Sequence, residues 1–145
     1  MEALLISACL MGFNCKYNGG NNALPEDVLC ALRRNYHLIP VCPELAGGLP
    51  TPRAPSERRG DAVINRDGQD VTLQFRRGAE IALKLSERFD VHRALLKGNS
   101  PSCGSGMIYD GSFSGMLVCG DGVTAEYLMK RNLIVSGNYS TFLLK

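Results

Sequence analysis

Short apolar runs alternate along this chain with stretches of helical periodicity, and this alternation restricts the fold more than any other feature. Four runs have the length and composition of buried strands: Leu4–Ala8, His37–Val41, Arg93–Lys97 and Leu133–Val135. Three segments carry apolar residues at helical spacing: the one after Pro25, Asp70–Phe89 and Val123–Arg131. Helices between strands favour parallel pairing, because a parallel neighbour needs a long crossover connection.

The alternation predicts an α/β protein, a single small three-layer domain over residues 1–145 with a mainly parallel, Rossmann-like sheet. Pro40 lacks the backbone donor that a central strand uses, so we expect strand pairing to be short or broken there. Ala62–Ile64 is predicted to form one strand of a small hairpin. Asp70 is predicted to be the N-cap of the helix that follows it.

Composition and charge exclude several classes of protein. The net charge of +2 is too small for a dedicated nucleic-acid surface, and no apolar stretch has the ~20 residues that cross a bilayer. The segment Met1–Cys9 has the pattern of a first strand and lacks the basic leader of a signal peptide. We therefore expect a cytoplasmic monomer that binds a small molecule, with its six cysteines reduced and available for metal or thiol chemistry.

Three cysteines each follow a predicted strand: Cys9, Cys42 and Cys103. If these strands are parallel, their carboxyl ends meet at one edge of the sheet and the three thiols emerge together. Such thiols could bind zinc or an iron–sulfur cluster, two of them could form a redox pair, or all could be core residues. Structural zinc usually takes four ligands, often in closely spaced pairs, and no C-x-x-C occurs here. Three ligands on a cubane leave one iron open, so the count favours a catalytic cluster.

The other three cysteines have different expectations. Cys30 lies on the apolar side of a predicted helix, and Cys119 ends an apolar run, so both are predicted to be core residues. Cys15 lies in a Gly- and Asn-rich loop six residues after Cys9 and could be a fourth ligand or a sulfur relay. We favour a role for Cys15 that does not include metal ligation.

Polar residues flank the second and third of these cysteines. Glu44 stands two residues after Cys42 and could exchange protons with a substrate nitrogen or an attacking water. Three side chains that precede Cys103 could hold a polar heterocycle: Asn99, Ser100 and Ser102. Ordinary turn chemistry around Pro101 is the alternative for those three. Three arginines of the irregular segment are predicted to lie on a solvated loop: Arg53, Arg58 and Arg59.

The motifs around the cysteines together resemble the thiouracil desulfidase family. The matching segments are Ser7–Gly12, Cys42–Glu44 running into Gly47–Arg53, Asn99–Gly104, Tyr109–Gly111, Phe113–Gly115 and Gly120–Ala125. The resemblance covers nearly the whole chain. The chain departs from the family pattern at Asn18, where we expect relatives often to carry Asp, so this chain has no carboxylate at that residue.

The resemblance implies a [4Fe–4S] cluster held by Cys9, Cys42 and Cys103. It further implies that the sulfur of a thiolated pyrimidine binds the free iron and leaves as sulfide. Glu44 matches the proposed acid/base residue of the family, and Ser100 best matches its active-site serine, although spacing does not exclude Ser102. Asn99 and Ser102 are then expected to bind substrate.

The leading hypothesis is a hydrolytic desulfurisation without net redox change. A second hypothesis is cluster-dependent sulfur handling in thionucleoside or tRNA metabolism, for which Arg53, Arg58 and Arg59 are the support. A third is a non-enzymatic metal-binding or redox-sensing module. Salt-sensitive RNA binding would favour the second, and zinc without iron in the purified protein would favour the third.

Overall fold

A computed structural model describes residues 1–143 of the chain as an α/β protein with one central parallel sheet. Its strands are β1 (Glu2–Ser7), β2 (Tyr36–Val41), β3 (Ser56–Arg59), β4 (Ala62–Asn65), β5 (Arg93–Leu95), β6 (Met107–Tyr109), β7 (Leu117–Cys119) and β8 (Ile134–Ser136). Its α-helices are α1 (Glu26–Asn35), α2 (Pro43–Ala46), α3 (Thr72–Arg88), α4 (Val123–Met129) and α5 (Ser140–Leu143). A 3₁₀ helix over Ala8–Met11 follows β1.

The central sheet has the strand order β2-β1-β5-β8, and every pair in it is parallel. The two smaller sheets are antiparallel hairpins, β3–β4 and β6–β7. The predicted mainly parallel α/β sheet is therefore confirmed. The hairpin that includes Ala62–Ile64 is confirmed as well, whereas the β6–β7 hairpin had no counterpart in the sequence prediction.

The three layers follow from the alternation of side chains along β1. Leu5 packs on one face of the sheet with Ala82 of α3 and Leu128 of α4. Leu4 and Ile6 point to the other face and pack among residues of α1 and α5. Because successive side chains point to opposite faces, one apolar run covers both sides of the sheet and the sheet is buried between two helical layers.

The prediction that Pro40 interrupts its strand is wrong. β2 pairs with β1 along its whole length, from Glu2 opposite Tyr36 to Ser7 opposite Val41. β2 is an edge strand, so only one of its sides needs ladder hydrogen bonds. A proline whose missing donor would face away from β1 costs the sheet nothing.

Two glycines bring α2 against α3. A Cβ atom on Gly47 would lie 1.9 Å from the carbonyl oxygen of Gln74, and a Cβ on Gly78 would lie 1.9 Å from that of Pro43. Real Cβ atoms do not approach backbone so closely. The short helix that begins directly after Cys42 is therefore seated on α3 by backbone contact.

Asp70 precedes α3 without being its N-cap, which is Val71. The predicted N-cap is one residue too early, although the Asp70 carboxylate still accepts the Thr72 N–H at 2.9 Å. Hydrogen bonds from the Thr72 hydroxyl and backbone hold the pKa of Asp70 below its ordinary value of 3.8. The charged form therefore stabilises the start of the helix.

We expect Asp70→Ala to lower the urea midpoint at pH 7 and to have a smaller effect at pH 3. A carboxyl with a lowered pKa contributes stability above its unfolded value of 3.8 and loses it as the pH falls through the folded value. Urea unfolding across this pH range measures the difference, with the exposed Asp67→Ala as control. An equal difference at both pH values would contradict this linkage.

Within residues 1–143 no helix combines the length and the apolar composition needed to span a bilayer.

Candidate active site

The strand order reverses between β1 and β5. The chain places β2 on one side of β1 and then returns to place β5 on the other side. Parallel α/β sheets bind ligands beyond the carboxyl ends of their strands at such a switch point. A cavity of about 450 Å³ lies there, lined by residues from the segments that follow β1, β2 and β5. It is therefore the first place to look for chemistry.

Cys9, Cys42 and Cys103 all line this cavity. Cys9 lies on the 3₁₀ helix after β1, Cys42 directly follows β2, and Cys103 lies in the segment after β5. Cys103 is buried, while Cys9 and Cys42 are half-buried. The carboxyl ends of three neighbouring parallel strands thus bring together cysteines that are far apart in the chain.

Cys15 lies in the same cavity and is buried. The Cys42 sulfur lies 3.8 Å from the backbone oxygen of Cys15, so the loop after Cys9 folds back against the second cysteine. The sequence left the surroundings of Cys15 open, because a Gly- and Asn-rich loop can follow many paths.

The donor set of the cavity is rich in sulfur, and its chemistry fits an iron–sulfur cluster. All six cysteines of the chain are free thiols, and four of them line one cavity. Among residues 1–143 no group of three or more His, Cys, Asp or Glu side chains is close enough together to hold one metal ion. Thiolates on a cubane bind separate irons and stand further apart than ligands around one ion. Four thiols on one cavity supply the soft ligands that such a cluster takes.

Burial controls the protonation of these thiols. It raises the pKa of Cys103 to about 12, although a hydrogen bond from the Ser7 hydroxyl favours the thiolate. Burial also raises the pKa of Cys9 above its ordinary value. Burial and the neighbouring Cys42 together raise the pKa of Cys15 to about 12. These thiols are protonated at neutral pH without metal, so metal binding must displace their protons.

Glu44 is held in place from two sides at the wall of the cavity. Its Oε1 accepts the Arg53 Nε–H at 3.0 Å, and its Oε2 accepts the Ser102 hydroxyl at 2.9 Å. The side chain of Glu44 is 14% exposed and that of Arg53 is 7% exposed, so water screens this ion pair little. A carboxylate fixed in this way beside a cavity is suited to proton transfer.

Ser102 joins Glu44 to Ser100. The two serine oxygens lie 3.0 Å apart, and Ser100 Oγ also accepts the backbone N–H groups of Ser102 and Cys103. Since the Ser102 proton goes to Glu44, Ser100 donates its own proton to Ser102. Ser102 is buried and Ser100 is half-buried, so Ser100 is the more accessible end of this chain of hydroxyls. Asn99 also lines the cavity.

The prediction that Arg53, Arg58 and Arg59 lie on a solvated loop is wrong for Arg53 and Arg58, whose side chains are 7% and 11% exposed, whereas Arg59 is exposed. Arg53 binds Glu44 and donates to the carbonyl oxygen of Cys15 at 2.9 Å. Arg58 pairs with Glu126 at 2.9 Å, and Arg59 donates to the carbonyl oxygen of Gly111 at 2.6 Å. Each guanidinium joins segments distant in the sequence, which local composition does not reveal.

The predictions that Cys30 and Cys119 are core residues are also wrong, because both are less buried than predicted. Cys30 is half-buried, and its sulfur lies 3.8 Å from the exposed Glu26 carboxylate. Cys119 is exposed, because all three residues of β7 face solvent in a two-stranded hairpin. An apolar run of three residues does not by itself guarantee burial.

Aromatic residues line the cavity as well, and the sequence analysis assigned them no role. They are Tyr17, Tyr109 and Phe113. Tyr109 and Phe113 flank the Asp110–Gly111 turn, and Tyr17 follows Cys15 by two residues. A signal was present for Tyr109 and Phe113, since each begins a segment that matches the family motifs.

The chain is similar to known proteins over most of its length. The model of the family described as 2-thiouracil desulfurase matches residues 4–138. YbbK of Bacillus subtilis (strain 168), described as an uncharacterized protein, is 38% identical over 135 residues, which are 86% of this chain and 88% of YbbK. The solved structure of the [4Fe–4S]-dependent thiouracil desulfidase TudS is 44% identical with a TM-score of 0.89, covering 93% of this chain and 89% of TudS.

Proposed function

Because the chain belongs to the 2-thiouracil desulfurase family, we propose that it removes sulfur from a thiolated pyrimidine with the help of a [4Fe–4S] cluster. The family resemblance of its motifs is thereby confirmed. The observation that supports this activity best is the position of Glu44 and Ser102 on the same cavity as Cys9, Cys42 and Cys103. Acid/base groups and soft ligands are the two requirements of the reaction.

Cys9, Cys42 and Cys103 would hold the cluster. With three protein ligands, the bound cluster would offer one iron as a Lewis acid that polarises the carbon–sulfur bond. We keep Cys15 outside this set. The Ser7 hydroxyl would stabilise the Cys103 thiolate through the hydrogen bond described above.

Glu44 would move the protons of the reaction. Water adds its oxygen to the carbon that carries sulfur, the carbon–sulfur bond breaks, and thiouracil plus water becomes uracil plus hydrogen sulfide. Neither carbon nor sulfur is oxidised or reduced, so Glu44 has only to take a proton from water and return it to the departing group or ring nitrogen. Ser100 and Asn99 would orient the ring.

Anaerobic cluster reconstitution followed by assay with 2-thiouracil and 4-thiouracil tests this function. We expect sulfide and uracil in equal amounts from at least one substrate. Protein with its full complement of iron and sulfide that releases sulfide from neither substrate would refute the assignment.

We expect Ser100→Ala and Ser102→Ala each to lower kcat by about 10- to 100-fold, as other supporting groups of metal sites do. Either change breaks the chain of hydroxyls that ends on Glu44. Residues that act as a unit are not additive, so the double variant should be little worse than either single one. Steady-state sulfide release by the three variants, with iron content as control, measures this. Effects that multiply would show that the serines act separately.

We also propose a small-molecule substrate rather than RNA. Arg53, Arg58 and Arg59, which supported the RNA hypothesis, are engaged with protein groups. We expect no salt-dependent RNA binding, and tight salt-sensitive binding would reverse this choice.

We propose that the whole chain of 145 residues is one domain that works as a monomer in the cytoplasm. Its six free thiols support a reducing compartment, where cysteines stay available to bind iron.

A further inference from the structure

Resting on the proposed function, we propose that Phe113 is a specificity-determining residue on whose ring the pyrimidine of the substrate stacks. Phe113 lines the cavity together with Arg66, whose guanidinium lies over the ring at 5.6 Å from its centroid. Planar heterocycles stack well on aromatic side chains, because both offer an apolar face.

The loop that carries Phe113 is fixed to the rest of the protein. The buried Glu57 carboxylate accepts the backbone N–H of Gly111 at 2.9 Å and that of Phe113 at 3.0 Å. Arg59 donates to the carbonyl oxygen of Gly111 at 2.6 Å. A buried carboxylate that accepts two loop N–H groups holds this segment against the β3–β4 hairpin. The ring of Phe113 is therefore presented by an ordered loop.

The backbone at Phe113 is in a conformation that bulky residues avoid. Its φ is +58°, in the left-handed region that favours glycine and asparagine. Such strain persists where the surroundings hold it, and it is concentrated at functional sites. Here the residue held in this conformation is the one that contributes an aromatic ring to the cavity.

The depth of the cavity indicates how a substrate would lie. The buried thiols are on its floor, with Cys15 at 5% and Cys103 at 4% exposure, whereas Tyr17 and Tyr109 are 40% and 37% exposed. A thiolated ring that places its sulfur toward the cysteines extends outward, where the aromatic side chains lie. The exocyclic sulfur would point inward and the ring would meet Phe113.

Arg66 completes this surface. Among residues 1–143 its guanidinium has no carboxylate partner and no side-chain hydrogen bond, although it lines the cavity. Its donors therefore remain available to a ring carbonyl oxygen of a pyrimidine. Phe113 and Arg66 together would select a flat ring with a carbonyl group over other compounds that carry a carbon–sulfur double bond.

The test replaces Phe113 by Asn in the holoenzyme. Asparagine tolerates a positive φ, so this variant removes the ring while relieving the backbone strain. Substrates are 2-thiouracil, which is planar, and 5,6-dihydro-2-thiouracil, which keeps the thioamide but has lost the flat aromatic ring. Two variants serve as controls. Phe113→Tyr keeps an aromatic ring at this residue, and Phe89→Leu removes an exposed aromatic ring outside the cavity.

We expect Phe113→Asn to raise KM for 2-thiouracil about tenfold, as loss of one stacking contact predicts. KM for the dihydro compound and kcat should change less than this. Phe113→Tyr should restore most of the affinity for 2-thiouracil, and Phe89→Leu, outside the cavity, should behave as wild type. Equilibrium dialysis of labelled uracil against holoenzyme and cluster-free protein should show the same weakening in Phe113→Asn. Equal effects on both substrates, or no effect on uracil binding, would overturn the proposal.

Failure of the proposed function is distinguishable from failure of this inference. Wild-type holoenzyme that releases no sulfide from any thiouracil would refute the function. Uracil binding by wild type and by Phe113→Asn would then decide by itself whether the ring is a stacking surface. Unchanged uracil binding would overturn it.

Discussion

Replacing Glu44 by Gln is expected to lower kcat by about 10²- to 10⁴-fold, the usual contribution of a positioned acid/base group. Glutamine has the shape of glutamate, so α2 and the nearby cysteines should stay in place, but an amide cannot accept a proton at neutral pH. Sulfide release measures the loss. Iron content and the visible absorption of the protein should remain those of wild type.

The matched control is Glu26→Gln, which makes the same chemical change at an exposed glutamate of α1. It should leave kcat unchanged. A Glu44→Gln enzyme with a full cluster and more than a tenth of wild-type kcat would show that Glu44 is not the proton-transfer group. Ser102, which donates to the Glu44 carboxylate, would then have to be explained as a cluster-supporting residue alone.

Replacing Cys42 by Ala is expected to abolish stable iron binding and to lower sulfide release by about 10³-fold or more. The Lewis acid supplies several kcal/mol of transition-state stabilisation, and each 1.4 kcal/mol is a factor of ten in rate. Iron and sulfide analysis after anaerobic reconstitution measures the first effect. The assay with thiouracil measures the second.

Cys30 and Cys119 provide the controls, because each Ala variant removes one thiol outside the cavity. Both should keep their iron and their activity. Cys15→Ala decides the remaining question, and we expect it to retain the cluster, since Cys15 is kept outside the ligand set. Full iron in Cys42→Ala would refute the ligand assignment of Cys42, and loss of iron in Cys15→Ala would add a fourth ligand.

The fold was largely predictable because the determining signals are local. Apolar runs and helical periodicity mark β1, β2, α1, α3 and α4 directly in the sequence. Shorter elements such as α2, α5 and the β6–β7 hairpin span three or four residues each, which is too short for a periodicity to be read. Their presence depends on contacts with the rest of the fold.

The site was predictable where it depends on topology and unpredictable where it depends on side-chain paths. Cys9, Cys42 and Cys103 meet at one edge of the sheet because parallel strands carry them there. The burial of Arg53 could not be predicted from its neighbours in the sequence. Its partner Glu44 is nine residues away, and the intervening segment must fold back for the two side chains to meet. Phe113 likewise reaches the cavity through a loop whose conformation Glu57 fixes from another hairpin.

The arrangement of the active site depends on the absence of side chains at Gly47 and Gly78 as well as on its functional groups. None of residues 72–88 of α3 lines the cavity. The position of α2 nevertheless depends on this helix, because Gly47 and Gly78 allow backbone contact only while their side chains are hydrogen atoms. A methyl group at residue 78 would push α2 outward and carry Glu44 away from Ser102 without touching either. A search for inactive variants should therefore recover substitutions in a helix that never meets the substrate.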